Sequence, residues 1–160
     1  MVRIMGLRQG ETTLSFVKSS IESVDSKALL QELNEVLIGT LGHDGTLHVC
    51  PEDFGQNKAF FLVGYECGAP ICCAGVRVLD DETGEVKRVY ARTRSRGVGA
   101  AQMAAVEDEA RALGYRRLVL ECRGGNPRAI AFYLRNGYSV CPNHPPYDVV
   151  SDAVCMEKYL

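Results

Sequence analysis

The residues most able to do chemistry cluster around one glycine loop. Arg94-Ser95-Arg96-Gly97-Val98-Gly99-Ala100-Ala101 stands between an apolar, strand-like segment and a helix-like one. Glycines there let the backbone approach a ligand, and the unpaired amides of a helix start attract an anion. Charge supports an anionic ligand. Residues 1–85 hold six Lys/Arg against thirteen Asp/Glu, whereas residues 86–135 hold eleven against four. Arginine dominates the basic block, among others Arg88, Arg92, Arg94, Arg96, Arg116, Arg117, Arg123 and Arg128. Arginine suits forked contacts to phosphate. A nucleic-acid patch is the competing reading, but the block lacks the RNP and KH patterns and is tied to the loop, so a phosphorylated cofactor leads.

Two phosphate motifs are set aside. A Walker loop needs Gly-Lys-Ser/Thr, which is absent. A dinucleotide fold is suggested by Gly97-x-Gly99 and by Glu121 about 20 residues on, where a ribose-binding acid would sit. However, Gln102 replaces the third glycine, and the unit follows an antiparallel meander.

The elements that must position the loop are legible from periodicity. Thr12 to Val17 reads as a first strand, and Asp25 or Ser26 as the cap of a helix whose apolar face is Leu29, Leu30, Leu33, Val36 and Leu37. Pro51 opens a short helix. Strands over 59–66, 71–79 and 85–91 form a meander joined by short turns. The loop then starts a helix that places Met103, Val106, Ala110 and Leu113 on one face and ends at Gly114. A strand (118–122), a helix (127–136), a strand (138–141), a proline-rich loop (142–147) and a last strand (153–158) complete one α+β domain.

The 160 residues, 46% hydrophobic and 24% charged, suffice for a buried core without staples. Met1 to Gly10 lacks the apolar stretch of a secretory signal, and no apolar run approaches membrane-span length. Seven scattered cysteines without C-x-x-C fit buried thiols in the cytosol better than disulfides or zinc. His43, His48 and His144 lack metal-ligand spacing, so no metal is expected.

The loop resembles the acetyl-CoA loop of the GNAT family of N-acetyltransferases, Q/R-x-x-G-x-G/A. It matches from Arg94, and again two residues later from Arg96, so its register stays open. Glu85-Val-Lys-Arg-Val-Tyr-Ala91 resembles the family's fourth strand. Asn126, Ala129, Tyr133, Gly137 and Tyr138 match its second signature, N-x-x-A-x-x-x-Y-x-x-x-G-F/Y. The resemblance covers about residues 59 to 160 and implies the GNAT fold, a mixed, mostly antiparallel central sheet flanked by helices.

It further implies a sheet that splays between the family's fourth and fifth strands to hold acetyl-CoA. The cofactor-binding core would be about 85–138, with the acceptor side at about 1–84 and 139–160. Pantetheine would pair with Val89, Tyr90 and Ala91. The pyrophosphate would take the amides of Arg96, Gly97, Val98, Gly99 and Ala100, with Arg94, Ala101, Asn126 and Ala129 completing the cofactor set. Tyr133 takes the position that protonates the leaving sulfur. An alkylamine must lose a proton before it attacks. Glu85 is the first candidate base, Glu121 the second, and ordered water a third. Acidic loop residues Glu52, Asp53, Asp80, Asp81 and Glu82 suggest a cationic acceptor such as a polyamine.

The expected activity is therefore acetyl transfer to a primary amine of a small molecule or peptide, without nucleic acid or membrane. A non-catalytic acyl-CoA-binding or partner-docking module is the alternative. The final strand and the proline-rich loop leave open a homodimer contact or a lid.

Overall fold

Unbroken apolar runs such as Phe60–Val63 and Ile71–Val76 belong to strands covered on both faces. The computed structural model describes residues 2–6 through their backbone, together with residues 13–92 and 97–160. Among these, eight strands form one sheet: β1 (Val2–Gly6), β2 (Thr13–Lys18), β3 (Phe60–Glu66), β4 (Ala69–Val78), β5 (Thr83–Ala91), β6 (Arg117–Arg123), β7 (Ser139–Val140) and β8 (Ala153–Tyr159). Their spatial order is β1-β2-β3-β4-β5-β6-β8-β7. Every neighbouring pair is antiparallel except β5 and β6, which the helix α2 (Val98–Ala112) connects in parallel. This is the GNAT fold.

Alternation along the strands sends side chains to two cores. Phe60, Leu62, Cys72, Ala74 and Val76 meet α2, through Met103 and Val106, and the helix α3 (Pro127–Arg135), through Tyr133. Phe61, Val63 and Cys73 face Leu29 of the helix α1 (Val24–Leu41) and Phe54 of a 3₁₀ turn at Pro51–Gly55. Gly75 lies where an added Cβ would stand 2.3 Å from the Phe54 ring and 2.9 Å from that of Phe61. Overpacking of this kind costs about 1–3 kcal/mol. Gly75→Ala should therefore lower the urea midpoint with an unchanged slope; an unchanged midpoint would show that Phe54 yields freely.

Three local expectations are corrected. The first strand is β1, which pairs with β2 antiparallel from Val2↔Val17 to Gly6↔Thr13. The cap of α1 is Ser23, whose hydroxyl accepts from the Ser26 amide at 3.2 Å. Ser26 itself is buried and donates to the Ser20 carbonyl at 2.8 Å. On α1, Leu29 and Leu33 are buried, whereas Val36 is exposed.

The sheet parts in the middle. β5 pairs with β6 only through Thr83↔Arg117, Gly84↔Leu118 and Glu85↔Val119. Beyond that point β6 stays with β8 along its whole length, and β5 stays with β4. A bulge reinforces the parting: Gly75 pairs with Lys87, but Cys73 pairs with Tyr90, which leaves one extra residue in β5. Arg88 sits there with φ +60°. Gln102 stabilises the distortion from α2, its buried amide donating to the carbonyls of Cys73 and Tyr90. A glycine in that place could not do so.

Candidate active site

Two cavities occupy the opening, one of about 420 Å³ and one of about 640 Å³. Both touch Leu33 and Leu37 of α1, Val89 of β5, and Asn126, Ala129 and Tyr133 at α3. These shared residues make the cavities two arms of one groove, with Tyr133 at the junction.

The larger arm contains most of the expected cofactor set. Val89, Tyr90 and Ala91 form one side; Gly97, Gly99 and Ala100 form the end; Arg128, Phe132, Arg135 and Asn136 form the other side. Gly97 caps α2 with φ +70°, no side chain bonds to the cap, and an added Cβ would meet nothing within 4 Å. Among the described residues, no side chain competes with an anion for the first amides of α2. Gly99 packs on Phe132, where a Cβ would come within 2.7 Å of the ring. The side chains of Val98 and Ala101 turn into the core, so only their backbones are available to a ligand. Asn126 caps α3, its Oδ1 accepting from the Ala129 amide at 3.2 Å. Arg94 and Arg96 lie outside the described residues. The parted strands, the uncapped amides and the small loop residues fit an extended phosphorylated ligand.

Much of the basic block is engaged within the fold. Arg92 pairs with Glu32 at 2.6 Å, Arg116 with Glu82 at 3.3 Å, and Arg117 with Glu157 at 2.6 Å. Arg88 bonds to Asn34 and to the Asp44 carbonyl. Arg128 remains at the larger arm.

The smaller arm separates the two candidate carboxylates. Glu85 is only 1% exposed and is absent from the cavity wall. It accepts from the Tyr147 hydroxyl at 2.8 Å and lies 3.3 Å from Arg77, which also binds Asp53 at 2.9 Å. Lys87, two residues along the strand, lies 3.4 Å from Glu85 and donates to the Tyr147 hydroxyl at 2.5 Å. Glu121 does line the arm, together with Tyr133, Lys87, Cys122 and Arg123. Arg123 Nε stands 2.7 Å from Glu121 Oε1. Burial raises the Glu121 carboxyl above its ordinary range, against the opposing pull of Arg123 and Lys87. Burial likewise lowers the Lys87 ammonium and pushes the Cys122 thiol up to about 12. The Tyr133 phenol is raised well above its ordinary value by burial, with Cys122 and Tyr138 adding to it.

Several participants escape sequence reasoning. Lys87 was discoverable from strand alternation, because it shares the face of Glu85. Tyr147 had no local signal; the loop after Cys141 carries it back to β5. His48 lines the smaller arm and packs edge-on against Tyr147, with ring centroids 5.7 Å apart. The acidic loop residues stand away from the groove. None of Glu52, Asp53, Asp80, Asp81 and Glu82 lines either arm. Asp53 binds Arg77, and Asp80 accepts from the amides of Glu82 and Thr83 to shape the β4–β5 turn.

Known proteins share this architecture. An acyl-CoA N-acyltransferase assignment accompanies a Klebsiella pneumoniae structure that superposes with a TM-score of 0.76 at 27% identity, covering 92% of this chain and 97% of that one. The PaiA N-acetyltransferase of Thermoplasma acidophilum, solved in complex with coenzyme A, superposes at 0.68 with 17% identity, covering 92% and 99%. In sequence, an IAA acetyltransferase of Azospirillum brasilense is 32% identical over 103 residues, which is 62% of this chain and 67% of that protein. Residues 26–138 match the acetyltransferase (GNAT) family. The parted sheet, the glycine-started helix and these matches agree: the chain belongs to the GNAT family of acetyltransferases.

Proposed function

We propose that the protein transfers an acetyl group from acetyl-CoA to a primary amine, with both substrates bound together. One observation carries this reading: Tyr133 is a wall of both arms, which supports a role for its phenol between a cofactor in one and an acceptor in the other. Acetyl-CoA would supply the activated acyl group as a thioester. Val89 to Ala91 and the amides at Gly97 to Ala100 would hold it along the larger arm, with Arg128 at its rim. Holding two reactants in one groove itself supplies a large part of the acceleration.

Tyr133 keeps its proton, because burial disfavours the phenolate. It therefore acts as a standing hydrogen-bond donor at the sulfur of the leaving group. Glu121 takes the proton of the incoming ammonium. Its raised carboxyl is a stronger base than an ordinary glutamate, and it shares the smaller arm with Tyr133. Glu85 holds Tyr147 and Lys87 in the wall. All seven cysteines are unpaired thiols, in keeping with a reducing cytosolic setting.

Calorimetric titration with acetyl-CoA is the direct test, with NAD(H) as control. Saturable binding of acetyl-CoA alone is the expected result. Absence of binding, or equal binding of NAD(H), would overturn the cofactor assignment.

A further inference from the structure

We infer that the acceptor is an amine on an apolar, alkyl or aryl body that carries no second positive charge. The inference rests on assigning the smaller arm to the acceptor.

One wall of that arm is a ladder of leucines from α1, Leu33, Leu37 and Leu41, continued at the mouth by Leu47. Leu47 is 86% exposed, so it offers its side chain to whatever enters. A lone exposed leucine needs no explanation, but this one extends a partly buried apolar surface outward.

The polar side of the arm is hostile to a polycation. Three cations line it, Lys87, Arg88 and Arg123, against two carboxylates among the described residues, Asp44 and Glu121. Asp44 is already committed to its own turn, accepting from the Thr46 amide at 3.0 Å and the Thr46 hydroxyl at 2.6 Å. Glu121 faces Arg123 and is the group left for the reacting amine. Glu85 is taken by Lys87, and Arg123 holds Glu121 and Asp152, so a second ammonium would lose its water with no free carboxylate in the arm to receive it. An alkyl or aryl body meets the leucine wall and gains by leaving water.

The test is calorimetric binding of two amines, phenethylamine and spermidine, to the protein saturated with coenzyme A, at fixed ionic strength. Phenethylamine should bind at least about tenfold more tightly. Leu47→Asp, at a site too exposed to threaten folding, should weaken phenethylamine and strengthen spermidine. The inference is overturned if spermidine binds as well as phenethylamine, if neither binds, or if Leu47→Asp leaves the preference unchanged. Thiol release is followed with the same amines. Leu47-dependent binding of phenethylamine without thiol release would sustain the acceptor surface and overturn acetyl transfer, so the two failures are distinct.

Discussion

Tyr133→Phe should lower kcat by about 100-fold or more while leaving acetyl-CoA affinity unchanged. The substitution removes only the hydroxyl. The ring stays wedged between Phe132 and Tyr138, with centroids 5.0 and 5.7 Å away, so the wall between the two arms persists. Without the hydroxyl, the departing sulfur loses its donor at the moment its charge develops, in a site where burial makes unpartnered charge costly. Steady-state thiol release gives kcat, and calorimetry gives the affinity. A variant with full turnover would remove Tyr133 from the chemistry. Equal losses in binding and turnover would make it a packing residue.

Glu121→Gln and Glu85→Gln should part company. Glu121→Gln is expected to cost about 10²–10⁴-fold in kcat/KM, the range of a lost general base, with little change in stability. The pH profile identifies the base. Glu121 acts ionised, so activity falls as the pH drops through its pKa. Because burial raises that pKa, the acid limb should lie above the ordinary glutamate range of about 4.3, and the variant should lose it. Glu85→Gln strikes a buried charge bonded to Tyr147 and flanked by Arg77 and Lys87. Its main expected effect is on folding, about 3 kcal/mol or more in chemical denaturation, because two cations lose their shared partner. The reverse pattern, a stable but inactive Glu85→Gln beside a fully active Glu121→Gln, would return the role of base to Glu85.

The sequence by itself determined the local parts. Glycines 97 and 99 before a helix-like pattern marked the start of α2, because a helix start with no bulky side chain is a property of neighbouring residues. The Asn126-to-Tyr138 signature placed Tyr133 on a helix for the same reason. Apart from β1, strand and helix identities followed from apolar periodicity, and Ser23 took the cap from Asp25 and Ser26 only through a hydrogen bond within one turn.

Tertiary structure alone decided which carboxylate faces the groove. Glu85 and Glu121 look alike as acids on strands. Their exposure depends on where β5 leaves β6, and that point is set by the pairing of β6 with β8 some thirty residues later and by the bulge at Arg88. Tyr147 then closes over Glu85 from 62 residues away. The charge of the chain misled for the same reason. Arginines that suggest phosphate contacts are largely satisfied by acids distant in sequence, such as Arg92 by Glu32. Acidic loops that suggest a polycation cap turns or bind Arg77. Charges act through space, and their partners are chosen by the fold.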